Sequence, residues 1–134
     1  MVYLTLEQII RLHALVLVKD GGADGIRNLG QLEAAVLTQY QTVFGKELYT
    51  TVCDKTTVCD KAAALVRGII CDHPFIDGNK RTAMLAGLTL LEMNEYNFIA
   101  RQGELEDFAV HIAVSHLNAS VIADWLEQHS QVRL

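Results

Sequence analysis

The sequence predicts an all-α fold, a single-domain bundle of about six helices spanning residues 1–134. The chain contains one proline, Pro74, and proline is the residue that helix interiors tolerate least. Ala, Leu, Glu and Gln, which favour helices, dominate most segments. Hydrophobic residues make up 51% of the chain and charged residues 20%, a balance typical of a compact globular domain. No linker or low-complexity tract divides the chain.

Two helices are predicted in the first third of the chain. Residues 5–8 read Thr-Leu-Glu-Gln, a capping-box pattern, and predict that a helix runs from about Leu6 to Val18. Residues 20–25, Asp-Gly-Gly-Ala-Asp-Gly, break it. The spacing of apolar residues then predicts a second helix from about Leu29 to Val43.

A hexapeptide, Thr-Thr-Val-Cys-Asp-Lys, occurs twice without change, at residues 50–55 and 56–61. Six helical residues turn through about 600°, so the two copies cannot face one core within a straight helix. Our hypothesis is that the second copy starts a third helix, predicted from about Asp60 to Cys71, and that the first copy lengthens the preceding loop. The alternative is a neutral duplication, or an artefact, in a tolerant loop.

The third helix and a fourth, predicted from about Asn79 to Asn94, are apolar on most sides. Both are therefore expected to be central, with a loop between them. Residues 94–99 are short and mixed and could be extended. Helices five and six are predicted from about Glu104 to His116 and from about Ala119 to Gln128. Asn118 or Ser120 could cap the sixth helix.

Composition excludes several classes of protein. The net charge of −5 disfavours direct nucleic-acid binding. No apolar run reaches the roughly 18 residues of a membrane span, and the N-terminus lacks a signal-peptide pattern. The three cysteines are an odd number without a Cys-x-x-Cys pair, which fits a cytoplasmic protein and disfavours structural zinc.

The most informative stretch is residues 73–81, His-Pro-Phe-Ile-Asp-Gly-Asn-Lys-Arg, which we call the motif. An apolar run follows it, so the motif reads as a loop that enters a helix N-terminus, where unpaired N–H groups and the helix dipole favour anions. His73 supplies a base and Asp77 a hard oxygen ligand for a metal. Three further side chains add donors: Asn79, Lys80 and Arg81. Together these groups predict phosphoryl or nucleotidyl transfer.

Simpler interpretations of the motif residues remain open. Asp77 could cap the helix that starts at Asn79. Lys80 and Arg81 could be solvated, yet two cations in a first helical turn oppose the dipole, which favours a bound anion.

Other residues are expected to be structural. Cys71 ends an apolar helix without an evident orienting group, so a Cys–His nucleophile is disfavoured. Four histidines outside the motif are predicted to be structural: His13, His111, His116 and His129.

The pattern His-Pro-Phe-x-Asp-Gly-Asn-Lys-Arg resembles the signature of the Fic/Doc superfamily. Most Fic adenylyltransferases carry Gly where this chain has Lys80, and a second Arg where it has Met84. Lys80 therefore points to the Doc (death-on-curing) toxin branch. The resemblance extends to residues 3–7, 61–65 and 124–126, whereas the hexapeptide duplication departs from the family pattern.

The resemblance implies a helical fold whose central helices present the motif loop. It also implies a toxin of a toxin–antitoxin pair that transfers phosphate from ATP to a threonine of translation elongation factor Tu and arrests translation. A Phd-like antitoxin would insert its C-terminal segment into a groove. Two alternatives stay open: a Fic-type adenylyltransferase that moves AMP to a protein hydroxyl, and a catalytically weak antitoxin-binding module.

Carried over to this chain, the resemblance makes His73 the catalytic base and Asp77 the residue that holds Mg²⁺ or orients His73. Phe75 would anchor the loop in the core. The nucleotide phosphates would be bound by Gly78, Asn79, Lys80 and Arg81. Separately, the lengthened segment 45–61 could block docking of a partner, or let a helix exchange between two chains as a domain-swapped dimer.

Overall fold

The computed structural model describes residues 1–40 and 54–133. Within these ranges, most residues lie in six α-helices: α1 Leu6–Asp20, α2 Leu29–Leu37, α3 Lys55–Asp72, α4 Asn79–Met93, α5 Glu104–Ser115 and α6 Ala119–Gln128. Two short strands, β1 Tyr96–Phe98 and β2 Ser130–Val132, pair antiparallel, with Asn97 opposite Gln131. The predicted all-α class and helix number are confirmed, with a small sheet added.

Side-chain caps start α1 and α6 where the sequence predicted that these helices begin. The Thr5 hydroxyl accepts from Gln8 N, and the Gln8 side chain accepts from Thr5 N, which completes the predicted capping box of α1. Asn118, and not Ser120, caps α6 by accepting a hydrogen bond from Val121 N at 3.1 Å. These local bonds define where each helix begins because they satisfy N–H groups that lack intrahelical partners.

Helix α3 begins at Lys55, five residues before the predicted start at Asp60. The Asp54 carboxylate accepts from Thr57 N at 2.8 Å and caps the helix. The second hexapeptide copy therefore forms the first turns of α3, as hypothesised, and its Val58 is fully buried. The first copy does more than lengthen a loop, because it supplies the cap and the first helical residue. Residues 50–53 of that copy lie outside the described residues.

Helix α2 ends at Leu37, before the predicted Val43, and continues as a 3₁₀ turn over Thr38–Tyr40. Residues 41–43 lie outside the described residues. The buried Gln39 side chain accepts from Leu4 N at 2.9 Å and donates to Leu4 O at 3.0 Å. This tertiary pairing ties the end of α2 to the N-terminal segment, and no helical pattern in the sequence could indicate it.

The core lies around α3, which packs against α2, α4, α5 and α6. Nine of its residues are buried, and eight residues of α4 are also buried. The predicted central position of these two helices is confirmed, and it places the connection between them at one end of the core. Across the described ranges, no helix combines the length and apolar character that crossing a membrane requires.

Candidate active site

The motif loop, residues 73–78, joins the end of α3 to the start of α4. His73 is the C-cap of α3 and adopts the left-handed conformation, with φ 47° and ψ 58°. Gly78 is the N-cap of α4 and has φ 77°. The left-handed conformation costs a residue with a side chain about 1–2 kcal/mol, so the contacts around His73 must offset this strain.

The His73 side chain is exposed, and no described residue forms a hydrogen bond with its imidazole. Its backbone is held instead. The His73 carbonyl accepts from Arg27 Nε at 2.6 Å, and the Asp72 carbonyl accepts from Arg27 Nη2. The imidazole is therefore available to a ligand while its backbone is fixed.

Both oxygens of the Asp77 carboxylate accept backbone hydrogen bonds. Oδ2 accepts from Ala23 N at 3.2 Å and Oδ1 from Gly78 N at 2.9 Å. These two N–H groups, Ala23 first, lower the pKa of the Asp77 carboxyl. Because the folded pKa lies below the unfolded one, the ionised group favours the fold above the unfolded pKa, and this contribution is lost as the pH falls through the folded pKa.

Asp77 does not cap α4. The cap residue is Gly78, and α4 has no side-chain capping hydrogen bond. The capping interpretation of Asp77 is therefore wrong, because its carboxylate turns towards Ala23 and Gly78 instead. The first N–H bonded within α4 is that of Thr82, which donates to Gly78 O at 2.9 Å. Helix geometry leaves the preceding amides of residues 79–81 without acceptors inside α4.

Phe75 anchors the motif loop. Its side chain is 1% exposed, and its ring stacks on His13 with centroids 3.9 Å apart. His13 is buried and donates from Nε2 to the Asp77 carbonyl at 2.8 Å. The predicted burial of Phe75 and the predicted structural role of His13 are confirmed. Through this stacked pair, α1 holds the motif loop in place.

Asn79 closes the loop from the other side. Its side chain is buried; Oδ1 accepts from Phe75 N and Nδ2 donates to Phe75 O, each at 2.9 Å. These contacts give the Asn79 side chain a bracing function that the motif alone does not reveal. Binding of a phosphate at this residue stays a prediction, for which its backbone N–H at the start of α4 is the available donor.

Lys80 and Arg81 are exposed on the first turn of α4. Arg81 Nε lies 3.8 Å from Asp20 Oδ2, with 60% of the Arg81 side chain exposed. Such an exposed pair contributes about 0–1 kcal/mol, so it leaves the Arg81 guanidinium free for a ligand.

A cavity of about 600 Å³ lies between α1, α4 and α5, and Lys80 and Arg81 stand in its wall. Most of the other lining residues are apolar: Leu15, Val16, Met84, Leu85, Leu88, Leu105, Ala109 and Val110. His73 and Asp77 are not among the lining residues. The structure therefore places the two cations between the motif loop and an apolar groove.

Residues 21–28, the α1–α2 connection, form a second wall of the site that the sequence did not indicate. Arg27 N donates to Pro74 O at 2.7 Å, and Ile76 N donates to Gly25 O at 3.0 Å. Ala23 N holds Asp77, as described above. The only signal in the sequence was the presence of three glycines within residues 21–25, more than are needed to end a helix.

Comparison with known proteins identifies the family of this chain. The sequence model of the Fic/DOC family matches residues 3–91. The chain belongs to the Fic/DOC family. It is similar to Toxin Doc of Mycolicibacterium smegmatis, with 36% identity over 104 residues that cover 78% of this chain and 71% of the relative. It is also similar to Protein kinase doc of Escherichia phage P1, with 30% identity over 123 residues, or 91% of this chain and 90% of the relative. The resemblance stated from the motif is confirmed.

This Fic/DOC chain has a glycine at position 22 that permits close contact with the motif loop. Gly22 has φ 119°, and a Cβ there would lie 2.8 Å from Asp77 Oδ2. Gly21 also has a positive φ, 78°, but a Cβ there would meet nothing within 4 Å. The two positions separate backbone strain from contact with Asp77.

We expect Gly22→Ala to displace the Asp77 carboxylate, and Gly21→Ala to leave it in place. Each alanine strains the backbone by roughly 1–3 kcal/mol, but only Gly22→Ala should push the carboxylate away from Ala23 N. Carboxyl NMR titration should then show a higher Asp77 pKa in Gly22→Ala than in Gly21→Ala. Equal Asp77 pKa values in the two variants would contradict this contact.

His129 and Cys59 behave as structural side chains. His129 donates from Nδ1 to Trp125 O at 2.7 Å, and its Nε2 lies 3.1 Å from Glu104 Oε2. Burial raises the pKa of the Cys59 thiol to about 11, which makes it a neutral core residue. In the described ranges, His, Cys, Asp and Glu residues form no cluster of three or more that could hold a metal ion.

Proposed function

We propose that this Fic/DOC protein is the toxin of a toxin–antitoxin pair and transfers the γ-phosphate of ATP to a threonine of elongation factor Tu, which arrests translation. Family membership and relatives named Toxin Doc and Protein kinase doc support the toxin and transferase assignments. The observation that carries the proposal is the start of α4, where exposed Lys80 and Arg81 flank amides that no side chain caps, beside an ionised Asp77.

The first turn of α4 is suited to bind the phosphates of a nucleotide. Its free N–H groups and the positive end of its dipole attract an anion. Lys80 and Arg81 add two positive charges where a bare helix start disfavours them, and an anion offsets that cost. Gly78 lets the backbone approach the phosphates without a side chain in between. Asn79 holds the loop rigid and contributes its backbone N–H.

His73 is suited to activate the acceptor hydroxyl. An imidazole accepts a proton near neutral pH, and this one is exposed and has no described partner. The threonine hydroxyl gives its proton to the imidazole while its oxygen forms a bond to the γ-phosphorus. The bond from that phosphorus to the oxygen bridging to the β-phosphate breaks, and ADP leaves with the electron pair.

Asp77 is the proposed ligand for Mg²⁺. Each carboxylate oxygen accepts one backbone hydrogen bond and keeps lone pairs for a cation. A single protein carboxylate fits Mg²⁺, which commonly completes its shell with waters and nucleotide phosphates. When bound, the ion neutralises phosphate charge. The contacts of Asp77 with Ala23 and Gly78 support this role over the orientation of His73.

Lys80 favours kinase over adenylyltransferase chemistry. Its long cationic side chain stands where most Fic adenylyltransferases have glycine, and it fills space beside the helix start. A nucleotide would then lie with its γ-phosphate, and not its α-phosphate, towards the acceptor. AMP transfer remains the second candidate, because the other motif residues suit either reaction.

Transfer from γ-labelled and α-labelled ATP to elongation factor Tu separates the two reactions. We expect label only from the γ position, on a threonine identified by mass spectrometry. His73→Ala serves as the inactive control. Lys80→Gly tests whether Lys80 selects phosphate transfer over AMP transfer, and we expect this variant to transfer the α-label. Label from the α position alone in the parent protein would establish adenylylation, and no label with intact growth arrest would favour a binding module.

The apolar groove between α1, α4 and α5 suits the C-terminal segment of a Phd-like antitoxin. The groove runs along α4 as far as Lys80 and Arg81, so a segment bound in it would lie beside the phosphate site. We propose that this contact restrains the toxin in the cytoplasm of the producing cell.

The duplicated segment suggests a domain-swapped dimer, which sedimentation of the chain alone would test. A chain that sediments as a monomer would exclude the exchange of a helix between two chains.

A further inference from the structure

We infer that Arg27, in the α1–α2 connection, is a positioning residue for the base His73. The inference rests on the proposed function, in which the His73 imidazole takes the proton of the acceptor. Arg27 lies outside the motif, 46 positions before His73, and it does not line the apolar groove. Among the described hydrogen bonds, those of Arg27 go to the backbone that carries the imidazole and none goes to the ring.

Arg27 contacts three consecutive carbonyls around the base. Its guanidinium donates from Nε to His73 O at 2.6 Å and from Nη2 to Asp72 O. Its own backbone N–H donates to Pro74 O at 2.7 Å. Gln31 braces the guanidinium, because its Oε1 lies 3.2 Å from Arg27 Nη2. The peptide units on both sides of the His73 Cα are therefore held by one residue.

These bonds fall at a helix end that carries a left-handed residue. The last carbonyls of a helix lack intrahelical donors, and His73 is a left-handed residue with a side chain. Such residues persist when the surrounding structure over-determines them, and they concentrate at functional sites. Arg27 supplies charged donors to these carbonyls, which stabilises the turn and fixes the direction in which the His73 Cβ leaves the backbone.

A simpler arginine contact lies next to a second left-handed helix cap and provides a control. His116 is the left-handed C-cap of α5, with φ 50°, and Arg67 donates from Nε to Leu117 O at 3.0 Å. Arg67 and Leu117 contact none of the motif residues through hydrogen bonds in the described ranges. Arg67→Ala should therefore report the cost of losing an arginine contact beside a helix cap without moving the base.

Loss of Arg27 should affect the chemical step more than nucleotide binding. The loop that leads into α4 is held by Asn79 and the Phe75–His13 stack. Within the described ranges, Arg27 forms no hydrogen bond with residues 79–81. Its removal leaves the phosphate site in place and lets the peptides around His73 rotate. A shift of about 1 Å in a reacting group can cost on the order of 10²-fold in rate.

The test compares Arg27→Ala, Arg27→Lys and Arg67→Ala in the labelled-ATP transfer assay. We expect kcat to fall about 10²-fold in Arg27→Ala, with KM for ATP within about twofold of the parent. Arg27→Lys should recover only part of kcat, because an ammonium cannot present the two-armed fork of a guanidinium. Arg67→Ala should keep the parent kcat. Equal kcat losses in Arg27→Ala and Arg67→Ala would overturn the positioning role.

A second measurement does not depend on activity. In protein labelled with ¹⁵N-histidine, the His73 ring signals are assigned by their absence in His73→Ala. We expect them to shift and broaden in Arg27→Ala and to stay unchanged in Arg67→Ala. Unchanged His73 signals in Arg27→Ala would overturn the inference even if kcat fell. If the parent transfers no label, the proposed function fails, and the ring signals still decide whether Arg27 positions His73.

Discussion

Replacing His73 with alanine is expected to abolish phosphate transfer and growth arrest while the fold is retained. A general base contributes about 10²–10⁴-fold to a rate, so transfer from γ-labelled ATP should fall by at least that range. The side chain is exposed and has no described hydrogen-bond partner, so the free energy of unfolding should change by less than about 1 kcal/mol. Single-turnover transfer and urea unfolding measure the two effects.

His116→Ala is the matched control for this variant. His116 is also exposed, is also a helix C-cap, and has φ 50° against 47° for His73. Any cost of placing alanine in a left-handed cap is therefore shared by both variants. Growth arrest should persist in His116→Ala. If the His73→Ala variant still arrested growth fully, the toxin would not need this base, and the binding-module alternative would be favoured.

Replacing Phe75 with alanine is expected to cost about 3–5 kcal/mol of the free energy of unfolding, the range for buried aromatic truncations. The ring is 1% exposed and stacks on His13, while the Phe75 backbone is bonded to Asn79 on both sides. The loss of the ring opens a void at the point where α1, the motif loop and α4 meet. Urea denaturation followed by circular dichroism measures the cost.

Phe75→Leu separates the effect of losing buried volume from the effect of losing the aromatic ring. Leucine refills most of the volume and loses the aromatic stack, which is worth about 0.5–1.5 kcal/mol beyond burial. Its cost should therefore be well below that of alanine, and transfer activity should survive. A melting temperature for Phe75→Ala within a degree of the parent would show that the ring does not anchor the loop.

Much of the fold could be predicted from the sequence because it depends on neighbours along the chain. The Thr5–Gln8 capping box, the Asn118 cap and the central apolar helices are all local patterns, and the structure bears them out. The start of α3 was misplaced because the repeat itself contains the cap. Asp54 and Asp60 are equivalent in the two copies, and only the burial of Val58 and Cys59 in the core selects the earlier one.

The candidate site divides in the same way. The sequence alone determined the family and which side chains could carry the chemistry, since the motif holds a base, a carboxylate and two cations within nine positions. Only the tertiary structure decided which of them are free for a ligand. It engages the Asn79 side chain, leaves the His73 ring without a hydrogen-bond partner among the described residues, and turns Asp77 towards Ala23. The physical reason is distance along the chain. Ala23 and Asp77 are 54 positions apart, and a hydrogen bond over that separation leaves no local pattern, because packing of α1 against α4 creates it.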